Sequence, residues 1–195
     1  TEIAIKSYFK SFIKDTNHKI ATARAGNVIG GGDWSSNRII PDCIKNWSSG
    51  QNVKLRNPHS TRPWQHVLEP LGGYLLLASS LSKDKNNSGQ SYNFGPNSIE
   101  NKSVLELVKE MSLHWEKAPY EDLSRSVKGP YESGLLKLNC DKALIDLNWT
   151  PTLNFNKTVA LTSTWYLDFY NEKNILESTI DHIKYFMENA KYFVD

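Results

Sequence analysis

The stretch from Ile20 to Val28 constrains the fold more than any other part of the chain. It predicts a buried strand built of small residues, with Ala21, Ala23 and Ala25 among them. It runs straight into Gly30-Gly31-Gly32-Asp33. There the backbone can turn sharply or approach a ligand, because no Cβ stands in the way. The segments around it alternate in type. Before it, Ile5, Tyr8, Phe9, Phe12 and Ile13 recur at helical spacing and predict a helix that Asn17-His18-Lys19 breaks. After it, Pro41 opens a helix with Ile40, Ile44 and Trp47 on its inner face, stopped by Gly50.

The alternation continues. Short strands are expected at Val53 to Leu55, Pro63 to Val67, Ser91 to Phe94 and Leu136 to Leu138. Pro70 opens a helix carrying Tyr74, Leu75, Ala78 and Leu81, and a short helix runs from Asp141 to Leu147. Ser103-Val104-Leu105-Glu106 is a capping box, ahead of an apolar stripe of Val104, Leu107, Val108 and Met111. Residues 116–134 read as polar and irregular. Leu161, Trp165 and Phe169 mark one late helix, and Leu176, Ile180, Ile183, Met187 and Ala190 mark the next. Strands alternating with helices argue for α/β architecture. They are too few for a complete doubly wound sheet, so the fold reads as unfinished.

Several chemistries are excluded or disfavoured. No G-x-G-x-x-G opens a strand-turn-helix unit, so the usual pyrophosphate turn of a dinucleotide fold is missing. A net charge of +2 points to neither nucleic acid nor membrane, and no apolar run approaches the roughly 20 residues that span a bilayer. Cys43 and Cys140 have no metal-ligand spacing, which fits a cytoplasmic protein. His59 and His66 read as ordinary histidines rather than metal ligands.

What remains is a scatter of basic residues beside turns and aromatics. Arg24 and Asn27 flank the end of the predicted strand, where ligands of open α/β sheets bind. Arg38 follows the glycine loop, and Arg56 and Arg62 bracket Asn57-Pro58-His59. Arginine suits phosphate oxygens, so a phosphorylated ligand is one reading. Solvated or salt-bridged arginines are the other.

Residues 24–78 are more specific. Arg24-Ala25-Gly26-Asn27-Val28-Ile29-Gly30-Gly31-Gly32-Asp33-Trp34 is followed by Arg38-Ile39-Ile40-Pro41-Asp42. Then comes Arg56-Asn57-Pro58-His59-Ser60-Thr61-Arg62-Pro63-Trp64-Gln65-His66-Val67-Leu68-Glu69-Pro70. These runs closely resemble the CDP-glucose 4,6-dehydratase family, within the NAD-dependent epimerases and dehydratases of extended short-chain dehydrogenase type. Tyr92-Asn93-Phe94-Gly95-Pro96 and Asn148-Trp149-Thr150-Pro151 extend the resemblance more loosely to the end of the chain.

The resemblance implies a soluble, cytoplasmic, homodimeric lyase that uses NAD and a nucleotide sugar such as CDP-glucose, on the way to deoxy sugars of surface polysaccharides such as the lipopolysaccharide O-antigen. It implies an α/β, partial Rossmann-type fold in which roughly residues 1–28 and 63–95 contribute to an incomplete NAD-binding domain, and 29–62 and 96–195 mainly to the substrate lobe. By that analogy Asn27, Arg38, Ile39, Arg56 and Arg62 meet the substrate, with Asn97, Tyr131 and Glu132 on the opposite wall. Ala25 and Gly26 pass near the nicotinamide or, equally, serve tight backbone packing. The family's Tyr-x-x-x-Lys pair would fall ahead of Thr1, so the chain is expected to be a carboxyl-terminal fragment, inactive alone. Another nucleotide-sugar epimerase or dehydratase, and a non-catalytic nucleotide-sugar binding module, are the competing readings.

Overall fold

The computed structural model describes residues 1–124 and 136–193. The expected strand from Ile20 to Val28 is two strands, β1 (Thr22–Ala25) and β2 (Asn27–Ile29), separated by Gly26. Strand β1 pairs in parallel with β6 (Ser91–Phe94), and β2 pairs in parallel with β5 (Trp64–His66). The chain therefore changes neighbours at Gly26. The Gly26 N–H still donates to Phe94 O at 3.2 Å. A Cβ at Gly26 would stand 2.9 Å from Pro63 O, so a larger residue would force the crossing strands apart. Gln65 reaches across the same junction and donates from Nε2 to Phe94 O at 2.8 Å, tying the two strand pairs together. The strand is also less enclosed than its sequence suggests, since Ala23 and Arg24 are exposed.

Helix α1 (Glu2–Tyr8) continues into a π-helical turn at Phe9–Ile13. Its Glu2 carboxylate accepts from Ser91 Oγ at 2.8 Å, anchoring the helix to the start of β6. Helix α2 (Ile39–Ser48) buries Ile40, Ile44 and Trp47 as their spacing predicts. It leads to β3 (Val53–Leu55), which pairs in parallel with β8 (Tyr120–Asp122). The latter falls inside the segment expected to be irregular. Its three residues are all exposed, and an edge strand held by backbone pairing leaves no apolar alternation to read. The short β4 (Thr61–Arg62) runs antiparallel to β7 (Lys102–Ser103).

Helix α3 (Leu68–Lys83) forms as expected but begins before Pro70. Its inner face is Gly72, Gly73 and Leu77, while Tyr74, Leu75 and Ala78 are exposed. A Cβ on Gly73 would lie 2.3 Å from the Phe94 ring, so glycine lets the helix come down directly onto β6. Helix α4 (Val104–Ser112) carries the complete capping box and buries Leu107, Val108 and Met111. Leu136 to Leu138 is not a strand; the segment is irregular and Leu138 packs over Gly26 and Gly95. Helix α5 (Asp141–Leu147) follows, then α6 (Phe155–Tyr170) and α7 (Ile175–Asn189), both N-capped by asparagine. The predicted stripe on α7 lies mostly open, with Leu176 at 68% and Met187 at 55% exposure, and Phe186 is the buried member of the helix.

One apolar core joins α2, β3, β5, α4 and α6 through Ile44, Trp47, Leu55, Trp64, Met111 and Val159. A second, around Phe94, Leu147 and Trp149, fills the space between β6, α3 and α5. Trp149 is 1% exposed with its ring edge-on to Phe94, a core residue as its sequence context suggests.

Candidate functional site

The carboxyl ends of β1 and β2, where the chain changes neighbours, open into a cleft of about 1120 Å³. This is the position at which open parallel sheets bind ligands, since strand ends diverge there and backbone groups are left free. Ala25, Gly26 and Asn27 form its floor. One wall is the glycine loop and the start of α2, contributing Gly30, Gly31, Asp33, Arg38 and Ile39. The other is the β3–β4 strip, with Lys54, Arg56, Asn57 and Arg62. Leu136 and Leu138 border it as well.

The glycine loop is held in place by α6. Tyr166 Oη donates to Asp33 O at 2.7 Å, and burial pushes this phenol up to about 12. The Trp165 ring lies over Gly31 so closely that a Cβ there would come within 2.1 Å of it. Trp34 packs edge-on to Tyr166, with centroids 5.3 Å apart, and against Phe169 at 5.0 Å. Within the loop, Ser35 N–H donates to Asp33 Oδ1 at 2.9 Å, an Asx turn that brings the chain round to α2. Burial pushes the Asp33 carboxyl up, but the Ser35 hydrogen bonds with Arg38 and Lys45 nearby bring it below the ordinary value. Arg38 to Asp42, at the start of α2, line the cleft, and the first N–H groups of a helix lack intrahelical partners, which favours an anion near that end.

Of the residues proposed from sequence, Ala25, Gly26, Asn27, Arg38, Ile39, Arg56 and Arg62 all line this one cleft. Asn97 does not; it is exposed on the loop after β6. Tyr131 and Glu132 lie outside the described residues. Arg24 points elsewhere, with its Nε 3.5 Å from Glu2 Oε1, because alternation along β1 turns it away from Ala25. Arg38 is exposed and paired with Asp33 at 3.6 Å. Arg62 is 8% exposed, and its Nη1 donates to Thr61 O at 2.7 Å.

Lys54 was missed. The alternation in Val53-Lys54-Leu55-Arg56 places it on the same side as Arg56, and that signal was available in the sequence. Trp165 and Tyr166 were also missed as supports of the glycine loop, being more than a hundred residues away along the chain. Among the described residues, no group of three or more His, Cys, Asp or Glu is placed to hold a metal ion. His66 is buried, and burial together with nearby His182 pushes it down to about 3, so its imidazole stays neutral.

No protein-family model matches the chain. It is 36% identical over 183 residues to CDP-glucose 4,6-dehydratase of Salmonella typhimurium, a match covering 90% of this chain and 50% of that protein. The chain is a homologue of that enzyme. A second relative, dTDP-glucose 4,6-dehydratase of Haemophilus influenzae, is 31% identical over 142 residues, covering 67% of this chain and 40% of the relative. The chain thus spans about half the length of the curated relatives it matches. Its fold superposes on dTDP-glucose 4,6-dehydratase of Bacillus anthracis in complex with NAD, with TM-score 0.69 at 21% identity over 86% of this chain and 49% of that one. UDP-glucose-4-epimerase of Stenotrophomonas maltophila gives 0.68 at 17% identity, over 87% and 54%. At these identities the superpositions establish the fold: the expected α/β, partial Rossmann-type architecture of the epimerases and dehydratases.

Proposed function

We propose that this chain forms the nucleotide-sugar binding half of a CDP-glucose 4,6-dehydratase. The observation that carries the reading is the meeting of Asn27, Arg38, Arg56 and Arg62 in one cleft at the carboxyl ends of parallel strands. Arginines separated by up to 24 positions face one space next to a helix start, which suits a ligand with a diphosphate between a base and a sugar. Asn27, on the floor, offers both a donor and an acceptor to a sugar hydroxyl. Arg62, nearly buried on the β4 side of the cleft, is the arginine assigned to the diphosphate. The cytidine diphosphate assignment rests on the 36% identity to the Salmonella enzyme.

Gly26 and Ala25 fit a nearby nicotinamide, because neither projects a side chain beyond a methyl into the cleft. NAD, when bound, would supply the acceptor and donor of the hydride that such a dehydratase moves. The residues of this chain hold the sugar and its diphosphate in register, and proton transfer falls to a Tyr-x-x-x-Lys pair outside this sequence. By the same reading residues 1–28 and 63–95 complete the NAD-binding domain of a homodimeric cytoplasmic enzyme of deoxy-sugar synthesis, and the chain alone has no turnover.

The test is calorimetric titration of the full protein that carries this chain with CDP-glucose, dTDP-glucose and UDP-glucose. CDP-glucose should bind tightest, and Arg62→Ala should weaken it by about 1.5–3 kcal/mol, the worth of a hydrogen bond to a charged group. Preference for dTDP-glucose would move the assignment to the second relative. No binding of any of the three would overturn it.

A further inference from the structure

Among the described residues, the β3 wall of the cleft carries more positive charge than its neighbours neutralise. Val53 and Leu55 are each 1% exposed and point into the core. Alternation then sends Lys54 and Arg56 to the opposite side, and both line the cleft. Alternate residues of a strand lie about 6.6 Å apart, so two cations on long stems reach into the same part of the pocket. Among the described residues neither has an ion pair or a side-chain hydrogen bond. Lys54 shares its rung of the ladder with Glu121 of β8, yet no ion pair joins them. Arg38 on the facing wall is paired with Asp33. Among the described residues, then, nothing neutralises Lys54 and Arg56 on this side of the cleft, beside the nearly buried Arg62.

We infer that Lys54 is a further ligand-binding residue, and that with Arg56 and Arg62 it makes the β3–β4 wall the seat of the diphosphate. The inference rests on the nucleotide-sugar reading above and deepens it. Two like charges this close repel each other, so the free protein gains when a dianion settles between them. A lysine suits this role because its ammonium is a compact charge on a flexible stem and does not demand fork geometry.

The experiment is calorimetric titration of the full protein with CDP-glucose and with CDP, for the parent, Lys54→Met and Lys54→Arg. Lys54 is exposed between two buried residues, so its side chain can change without disturbing the core. Lys54→Met should weaken both ligands on the order of fivefold at low salt, and Lys54→Arg should recover most of that loss. The deficit should shrink at high salt, where the contact is screened. Unchanged affinity in Lys54→Met would overturn the inference and leave the nucleotide-sugar reading standing. A loss that Lys54→Arg does not relieve would also overturn it, since charge would not be the cause. A parent that binds neither ligand would take down both.

Discussion

Glu69 is a buried carboxyl whose surroundings fit its charge poorly, and its replacement by glutamine tests whether the reason is understood. It sits in the first turn of α3 with 1% of its surface exposed. One oxygen, Oε1, accepts the backbone N–H groups of Thr152 at 2.9 Å and Leu153 at 2.6 Å. The other, Oε2, is enclosed with no hydrogen-bond partner. Burial dominates: it pushes the carboxyl up from 4.5 to about 7, against the pull of the two backbone donors and with a small push from Glu100. A carboxyl raised in the folded state is stabilising when protonated. That contribution is complete below the ordinary value and is lost as pH rises from about 4.5 through about 7. The full difference amounts to about 3 kcal/mol.

Glutamine keeps a carbonyl for Thr152 and Leu153 and cannot ionise. Urea unfolding of the full protein, parent beside Glu69→Gln at one protein concentration, reads the effect as a difference. The two should be nearly equal at about pH 5, with the variant gaining about 2–3 kcal/mol relative to the parent by about pH 8. Comparing the pair cancels other titrating groups, His182 among them. A difference that stays constant over that range would refute the reasoning, because Glu69 would then hold one protonation state throughout. The result also bears on the cleft. The donors to Glu69 lie in the turn that leads into α6, and α6 carries the Trp165 and Tyr166 that fix the glycine loop.

Two further outcomes follow from local geometry. Gly31→Ala should cost about 1–3 kcal/mol in thermal or urea unfolding, since its methyl would meet the body of the Trp165 ring and not a flexible tip; paired with Trp165→Ala, the two losses should be less than additive. Ser103→Ala should cost about 1 kcal/mol, because Glu106 N–H loses its side-chain acceptor at the start of α4.

The parts of this fold that were legible in the sequence are those where a local rule carries the structure. The capping box set the start of α4 because both of its hydrogen bonds lie within four residues. The stripe of Ile40, Ile44 and Trp47 placed α2 because one face of that helix is truly covered. Illegible parts depend on partners remote in sequence. The Ile20 to Val28 run reads as one strand, but Gly26 divides it, since its two halves answer to different neighbours, β6 and β5. Helix α3 is where its apolar residues suggest, but its closest contact face is built of glycines, which periodicity of apolar side chains does not detect. Leu136 and Leu138 carry strand-like alternation and instead border the cleft, where Leu138 closes over Gly26 and Gly95.

The same distinction explains the site. Asn27 could be proposed from sequence because it lies just past a strand end, where a residue can reach a ligand, whereas Arg38, Arg56 and Arg62 needed the resemblance of residues 24–78 to single them out. What gives the cleft its shape could not be proposed in that way. Trp165, Tyr166 and Phe169 are spaced as an ordinary core-facing stripe, yet Tyr166 uses its hydroxyl to hold Asp33 O, and the indole of Trp165 sits where Gly31 has no side chain. The glycine loop is thus as much a product of α6 as of its own glycines. Flexibility would let Gly30 to Gly32 take many conformations, and each would cost entropy to fix. Aromatic rings packed on the loop before a ligand arrives meet that cost during folding, so binding need not meet it again. A cleft prepared in this way can hold a nucleotide sugar with a few polar contacts on a rigid wall.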